Sequence, residues 1–257
     1  MRFARAIVRC PSPNFAEGLT RAELGPPSFA PAKAQHERYC ETLTRCGLTL
    51  TKLAVDPRYP DATFVEDTAV LTPRGAILMH PGAVSRRGEV ASVREALIDL
   101  APVVGEIEAE GTVDGGDVCE SDGRFFIGIS ERTNEEGARQ LAAILKGLGY
   151  DATTVDVRGI PELLHLKSGL AALDDGRLLA VEALAARPEL AGMNVFRVEA
   201  GEAYAANAVS INGRVLLARG FPRIESALTR LRYDVVTLEM SEFRKMDGGL
   251  SCLSLRL

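Results

Sequence analysis

Short β-rich runs recur in pairs along the chain, each pair joined by a tight turn. Residues 68–71 and 76–79 flank Thr72-Pro73-Arg74-Gly75, and residues 118–120 and 124–129 flank Ser121-Asp122-Gly123. Residues 170–173 and 177–181 flank Asp174-Asp175-Gly176, and residues 208–211 and 214–218 flank Asn212-Gly213. A turn that closes on glycine tolerates a positive φ, so each pair predicts a β-hairpin. The turn glycines Gly75, Gly123, Gly176 and Gly213 lie about 40–50 residues apart, the period of a repeat architecture.

Helical stripes follow the hairpins. Val90, Val93, Leu97 and Leu100 recur three or four apart after the first, and Leu141, Ile144, Leu145 and Leu148 do so after the second. In the latter, Thr133 and Glu136 have capping-box spacing and Gly149 supplies a stop. Ile224, Leu228 and Leu231 form a stripe behind Pro222, after the fourth hairpin. The stretch after the third, 182–190, is short and broken by Pro188. An earlier helix is predicted over 31–46, ended by Gly47. Each helix gives way to another short strand, at 48–53, 103–107, 153–157, 195–198 and 235–238.

The unit therefore reads strand, strand, helix, strand. Four units are complete. The fifth closes only if 253–257 pairs with 4–9, which leads into the 31–46 helix and its strand. A ring closed by its two termini removes exposed sheet edges and lets the repeats share a core. The rival is an ordinary open α/β sheet. The ring predicts one domain over residues 1–257, built from five units of about 50 residues.

Composition narrows the function classes. Hydrophobic residues at 46% and charged residues at 25% exclude a disordered chain or a fibre. Apolar runs fall far short of the ~20 residues of a membrane span, and the first residues are too short and interrupted for a signal peptide. A net charge of −5 without a basic run argues against nucleic acid. Five cysteines without a CxxC pair fit reduced thiols in a cytoplasmic protein.

The starts of the first strands carry the chemistry. They read Asp61-Ala62-Thr63-Phe64-Val65-Glu66-Asp67, Gly111-Thr112-Val113-Asp114-Gly115-Gly116-Asp117 and Leu164-His165-Leu166-Lys167-Ser168-Gly169. Ala205-Ala206-Asn207 and Lys245-Met246-Asp247-Gly248-Gly249-Leu250-Ser251-Cys252 complete the set. Each item has a plain structural reading. Cys252 can be a small buried hydrophobe, His165 a satisfied core histidine, and Asp114 and Asp117 turn caps. Glu66-Asp67 can be a solvated pair, Arg86-Arg87 a helix start, and Arg132 a surface residue. Equivalent placement in successive units instead suggests a convergent axial pocket. A thiol beside an imidazole supports nucleophilic and acid–base chemistry. Clustered carboxylates bind a cation, and a planar guanidinium matches them two bonds at a time. One His, one Cys and scattered carboxylates lack zinc-ligand spacing, which makes a metal site the weaker reading.

Taken in order, these motifs, with Ser85-Arg86-Arg87-Gly88-Glu89 and Glu131-Arg132-Thr133-Asn134, resemble the dimethylarginine dimethylaminohydrolase family over nearly the whole chain. The resemblance implies a five-bladed α/β propeller of the guanidine-modifying superfamily, with pseudo-fivefold symmetry. It implies Cys252 as nucleophile, His165 as acid then base, and Asp114 beside the guanidine and the histidine. Some bacterial members carry Glu at the Asp114 position, so this chain follows the Asp type. Asp67 becomes a second guanidinium ligand with Glu66 in support, and Arg86 and Arg132 grip the substrate carboxylate. Asp61 takes the α-amino group, and the Leu19 backbone meets that end from a lid over residues 18–28. The implied substrate is a small-molecule methylarginine, cleaved without cofactor or metal, and a homodimer is compatible with this reading. The alternatives are an arginine deiminase, an amidinotransferase or a citrulline hydrolase on the same scaffold. A non-catalytic arginine-binding protein is a further one, although mere binding needs neither Cys252 nor His165.

Overall fold

A computed structural model describes residues 2–161 and 163–257. The chain opens with β1 (Arg5–Arg9), α1 (Phe29–Arg45) and β2 (Thr49–Leu53). The next unit is β3 (Ala69–Thr72), β4 (Gly75–Leu78), α2 (Val90–Leu97) and β5 (Val103–Glu106). Then come β6 (Val118–Ser121), β7 (Arg124–Ile129), α3 (Glu135–Gly147) and β8 (Asp151–Asp156). β9 (Leu170–Ala172), β10 (Leu178–Val181), α4 (Glu182–Ala185) and β11 (Val195–Val198) follow. The last full unit is β12 (Val209–Ile211), β13 (Arg214–Ala218), α5 (Pro222–Arg230) and β14 (Asp234–Leu238). A single turn, α6 (Ser241–Arg244), and β15 (Leu255–Arg256) end the chain.

These strands form five three-stranded sheets of one repeated topology: β15-β1-β2, β3-β4-β5, β6-β7-β8, β9-β10-β11 and β12-β13-β14. In each, the middle strand pairs antiparallel with one neighbour and parallel with the strand after the helix. The architecture is a five-bladed α/β propeller. Its ring closes where Ala6 pairs with Arg256 and Ile7 with Leu255, joining the two ends of the chain. The hairpin turns explain the register. Asp122 and Gly123 have φ of 51° and 80°, and Asn212 and Gly213 have 50° and 87°. Two successive positive φ values give the turn whose twist matches the flanking strands.

The first strand of every blade faces the axis. Val70, Val118, Leu170, Val209 and Leu255, one from each, wall an axial cavity of about 480 Å³. The helices pack outside. Tyr39 and Leu43 of α1, Leu97 of α2, Leu141 and Leu145 of α3 and Leu228 of α5 are fully buried. Each such side chain contributes about 1.5–3 kcal/mol through burial.

Some local expectations change. The N-cap of α3 is Asn134, whose side chain accepts from the Gly137 N–H, rather than Thr133. The Thr133 hydroxyl is occupied by Asp117 and by the Asp114 N–H. Leu231 lies just past α5 and is exposed, and Leu100 lies past α2. The short α4 gives way to a 3-10 turn at Pro188–Leu190. Among the described residues, no helix is long and apolar enough to cross a membrane.

Candidate active site

A short 3-10 turn leads into each first strand at one end of the axis: Val65–Thr68, Gly115–Asp117, Leu166–Ser168, Ala200–Ala206 and Ser251–Leu253. Such turns leave backbone N–H groups without partners inside the turn. Side chains of the preceding blade supply them. Asp67 Oδ1 accepts from the Gly116 N–H at 2.8 Å. Asp117 Oδ1 accepts from Leu166 at 2.8 Å, and Asn207 Oδ1 from Ser251 at 3.0 Å. This lacing lets polar side chains be buried at the axis without loss of hydrogen bonds.

Asp61, Asp67, Arg86, Asp114, Arg132, His165, Cys252 and Leu19 all line one small pocket there, with Phe64, Leu164, Met246, Asp247 and Gly248. The pocket measures about 30 Å³. That is room for about one water molecule. A ligand of arginine size therefore requires a wall to move.

His165 Nε2 lies 3.0 Å from Asp114 Oδ2. Burial opposes its charge, but Asp67, Asp117 and Asp114 together raise its pKa to about 9. Asp67 is also buried, yet Arg86, His165 and the Gly116 N–H hold it below the ordinary carboxylate range. Cys252 is pushed up to about 12 by burial and by the charges of Glu66 and Asp67. The Gly249 N–H, 3.4 Å from the sulfur, pulls weakly the other way. The resting pair is thus a neutral thiol and an imidazolium. Asp67, Asp114 and His165 present ligand atoms within 4.8 Å of one another. With the imidazole protonated, the two carboxylates are the acceptors left for a cation.

The two arginines differ. Arg86 is buried and already engaged. Its Nε and Nη2 donate to Glu89 at 3.1 and 2.8 Å, and its Nη1 donates to Asp67 at 2.5 Å. Nη2 also donates to the Phe64 carbonyl at 3.0 Å. Arg132, by contrast, makes no side-chain hydrogen bond among the described residues. Its backbone is fixed by the close approach of Gly82, where a Cβ would meet the Arg132 carbonyl at 2.2 Å. Asp61 is raised by burial, against Arg86 and the Leu19 N–H, which donates to it at 3.0 Å.

Glu66 is the expected site residue that does not line this pocket. Lys167 donates to its Oε1 at 2.6 Å and Ser251 to its Oε2 at 2.8 Å. Its carboxylate lines the axial cavity instead. Adjacent residues of one turn point to opposite sides, so Asp67 faces the pocket and Glu66 does not. Asp117 was readable only as a turn cap, yet it is fully buried and also accepts from Ser130 and Thr133. Phe64 gave no sequence signal; it packs with Phe15 and Phe243 at centroid distances of 5.8 and 6.2 Å.

No protein-family model matches the chain. The fold itself is shared with the N-terminal domain of ArgZ, an arginine dihydrolase from cyanobacteria, at a TM-score of 0.87 and 19% identity, covering 100% of this chain and 97% of that one. Much nearer is a structure of the Pseudomonas aeruginosa enzyme, a cysteine-to-serine variant complexed with citrulline. It superposes with a TM-score of 0.96 at 41% identity, with 100% of both chains covered. The N(G),N(G)-dimethylarginine dimethylaminohydrolase of P. aeruginosa is 42% identical over 255 residues, 99% of each chain. Its counterpart in Streptomyces coelicolor is 37% identical over 257 residues, covering 98% of this chain and 96% of the relative. The chain belongs to the dimethylarginine dimethylaminohydrolase family.

Proposed function

We propose that this chain is a single-domain hydrolase that converts Nω-methylated arginines, asymmetric dimethylarginine and monomethylarginine, to citrulline and di- or monomethylamine. One observation carries the reading: Cys252, His165, Asp67 and Asp114 converge on one pocket, with the uncommitted Arg132 beside them. The guanidinium of the substrate lies against Asp67 and Asp114. Its positive charge lowers the Cys252 thiol pKa, the thiol proton passes to solvent as the substrate binds, and the resulting thiolate adds to the guanidinium carbon. Protonated His165 gives its proton to the methylated nitrogen. The C–N bond breaks, the neutral amine leaves, and an S-alkylthiouronium remains. Neutral His165 then takes a proton from water as the oxygen adds to the same carbon. The C–S bond breaks, the thiolate returns, and the adduct loses its last proton to give citrulline. Asp67 and Asp114 stabilise the cationic species throughout, fixed before the reaction by the Gly116 and Gly82 N–H groups.

Arg132 takes the substrate carboxylate and Asp61 the ammonium. Arg86 contributes mainly by orienting Asp67, with one Nη1 proton left for substrate. Residues 18–28 form the lid. Its fastenings are polar and exposed: Thr20 donates to the Lys245 carbonyl at 2.9 Å, the Arg21 N–H to Asp247 at 2.6 Å, and Arg21 pairs with Glu131. Such contacts open at low cost. The five free cysteines support a reducing, cytoplasmic setting. Citrulline formation from asymmetric dimethylarginine, monomethylarginine and arginine tests the proposal. Faster turnover of the methylated substrates is expected; equal or faster turnover of arginine would make the chain a deiminase.

A further inference from the structure

Among the described pocket-lining residues, none comes from the blade β12-β13-β14 or from the turn that leads into it. That turn gives Asn207 instead. This residue is buried, 6% exposed. Its Nδ2 donates to the Lys167 carbonyl at 2.8 Å and to Ser251 Oγ at 3.0 Å. Its Oδ1 accepts from the Ser251 N–H at 3.0 Å. One carboxamide thereby ties the turn that carries Cys252 to the turn that follows His165. The loop continues: Ser251 Oγ donates to Glu66 at 2.8 Å, and Lys167 donates to the other Glu66 oxygen at 2.6 Å. A second observation is independent of these bonds. Gly249 packs flat on the amide, so that a Cβ there would meet Asn207 Cγ at 2.4 Å. The same Gly249 points its N–H at the Cys252 sulfur, 3.4 Å away.

We propose that Asn207 is a positioning residue that fixes the nucleophile against the acid–base histidine without touching substrate. The amide is suited to this task because it offers donors and an acceptor in one plane. Its Oδ1 accepts from the Ser251 backbone while its Nδ2 donates to the Ser251 hydroxyl and to the Lys167 carbonyl. Aspartate keeps the shape but loses both donors and adds charge beside Glu66. Alanine loses everything and opens space behind Gly249.

The inference rests on the hydrolase reading only for its kinetic arm. In Asn207→Ala, kcat for dimethylarginine should fall about 100-fold, as expected for a displacement of about 1 Å, while KM stays within about threefold. Asn207→Asp should fall at least about tenfold with the same split, and it covers the case that the alanine variant does not fold. The second arm uses no guanidine: iodoacetamide labelling at one pH, with mass mapping of the peptide that carries Cys252, because Cys10 is also half-buried and free. A single pH keeps the comparison between parent and variants like for like. Labelling should rise in Asn207→Ala, where the turn loosens, and fall in Asn207→Asp. A mere loss of fold stability lowers apparent kcat in proportion to the folded fraction, so kcat is taken per folded molecule from a parallel melt, and the labelling of the folded fraction is then unmoved. Equal labelling in parent and both variants overturns the inference, whichever substrate the protein takes. A rise in KM at unchanged kcat overturns it too. A parent inert toward methylarginines whose labelling still responds as stated supports the positioning and removes only the hydrolase reading.

Discussion

The ionisation of Cys252 gives the sharpest test of the chemistry. Its pKa is pushed up to about 12, first by burial and then by Glu66 and Asp67. At about pH 7.5 roughly one molecule in thirty thousand would then carry a thiolate. A guanidinium carbon about 4 Å from the sulfur brings one positive charge, worth about 4 kcal/mol at an effective dielectric of about 20. That equals about three pKa units of lowering on binding. The substrate supplies the charge that the protein withholds.

Two pH profiles read the two states. Iodoacetamide labelling of free Cys252 should climb about tenfold per unit between about pH 6 and 10 with no plateau, because a raised thiol pKa leaves the protonated form dominant throughout. The acid limb of kcat under saturating dimethylarginine reports the complex and should level off about three units lower. A labelling plateau near about pH 8 in the free protein would refute the reasoning. So would labelling and kcat that level at the same pH. Either result means that the protein's own charges already hold the thiolate.

Two further outcomes follow from the remaining charges. Arg132→Ala should raise KM about 10- to 100-fold, the worth of one charged hydrogen bond, with kcat little changed. Arg86→Ala should instead lower the melting temperature, because buried Asp67 and Glu89 lose their common partner at a cost of about 3–5 kcal/mol. Steady-state kinetics and thermal melts on both variants separate the roles; equal KM effects and equal melts would show that the two arginines share one task. His36 tests a different part of the molecule. Among the described residues its buried Nε2 has no partner, and burial, helped by Lys52, lowers its pKa to about 4 from the ordinary 6.5. The unfolded chain binds the proton first, so stability is lost as pH falls through that window, by about 3 kcal/mol in all. Urea melts of the parent and His36→Gln should diverge there, and parallel curves would refute the assignment.

The repeat was legible because its punctuation is chemical. A positive-φ glycine in each of the four hairpin turns, and a 3.6-residue stripe after three of them, mark four blades, with α2 ending three residues short of its stripe and α4 a single turn. Where the signal failed, a second partner had claimed the residue. Thr133 has the spacing of a cap, but Asp117 and the Asp114 N–H occupy its hydroxyl, and Asn134 takes the helix. α6 is one turn long and too short to show a period. Arg86-Arg87 also read as the solvated start of a helix; Arg86 is 5% exposed because Glu89, three residues on, turns it inward. Glu66 and Asp67 are neighbours in sequence, and no pattern says which one faces the pocket. That depends on Lys167 and Ser251, about 100 and 185 residues away.

The pseudo-fivefold fold explains how such a site is tolerated at all. An unpaired buried acceptor costs about 1–3 kcal/mol, and a buried charge costs more. Asp67, Asp117 and Asn207 avoid that cost because each satisfies the turn N–H of the next blade. The symmetric position fixes the backbone geometry and leaves the residue type free. Successive blades can therefore contribute a carboxylate, an imidazole, an amide and a thiol to the same level of the axis. What the lacing does not neutralise is charge. Arg86 is matched by Glu89, while Asp67 and Asp114 together face one imidazolium. In a pocket that water barely enters, those two carboxylates are the acceptors that a cation meets. A guanidinium completes it, and in doing so makes the thiolate that attacks it.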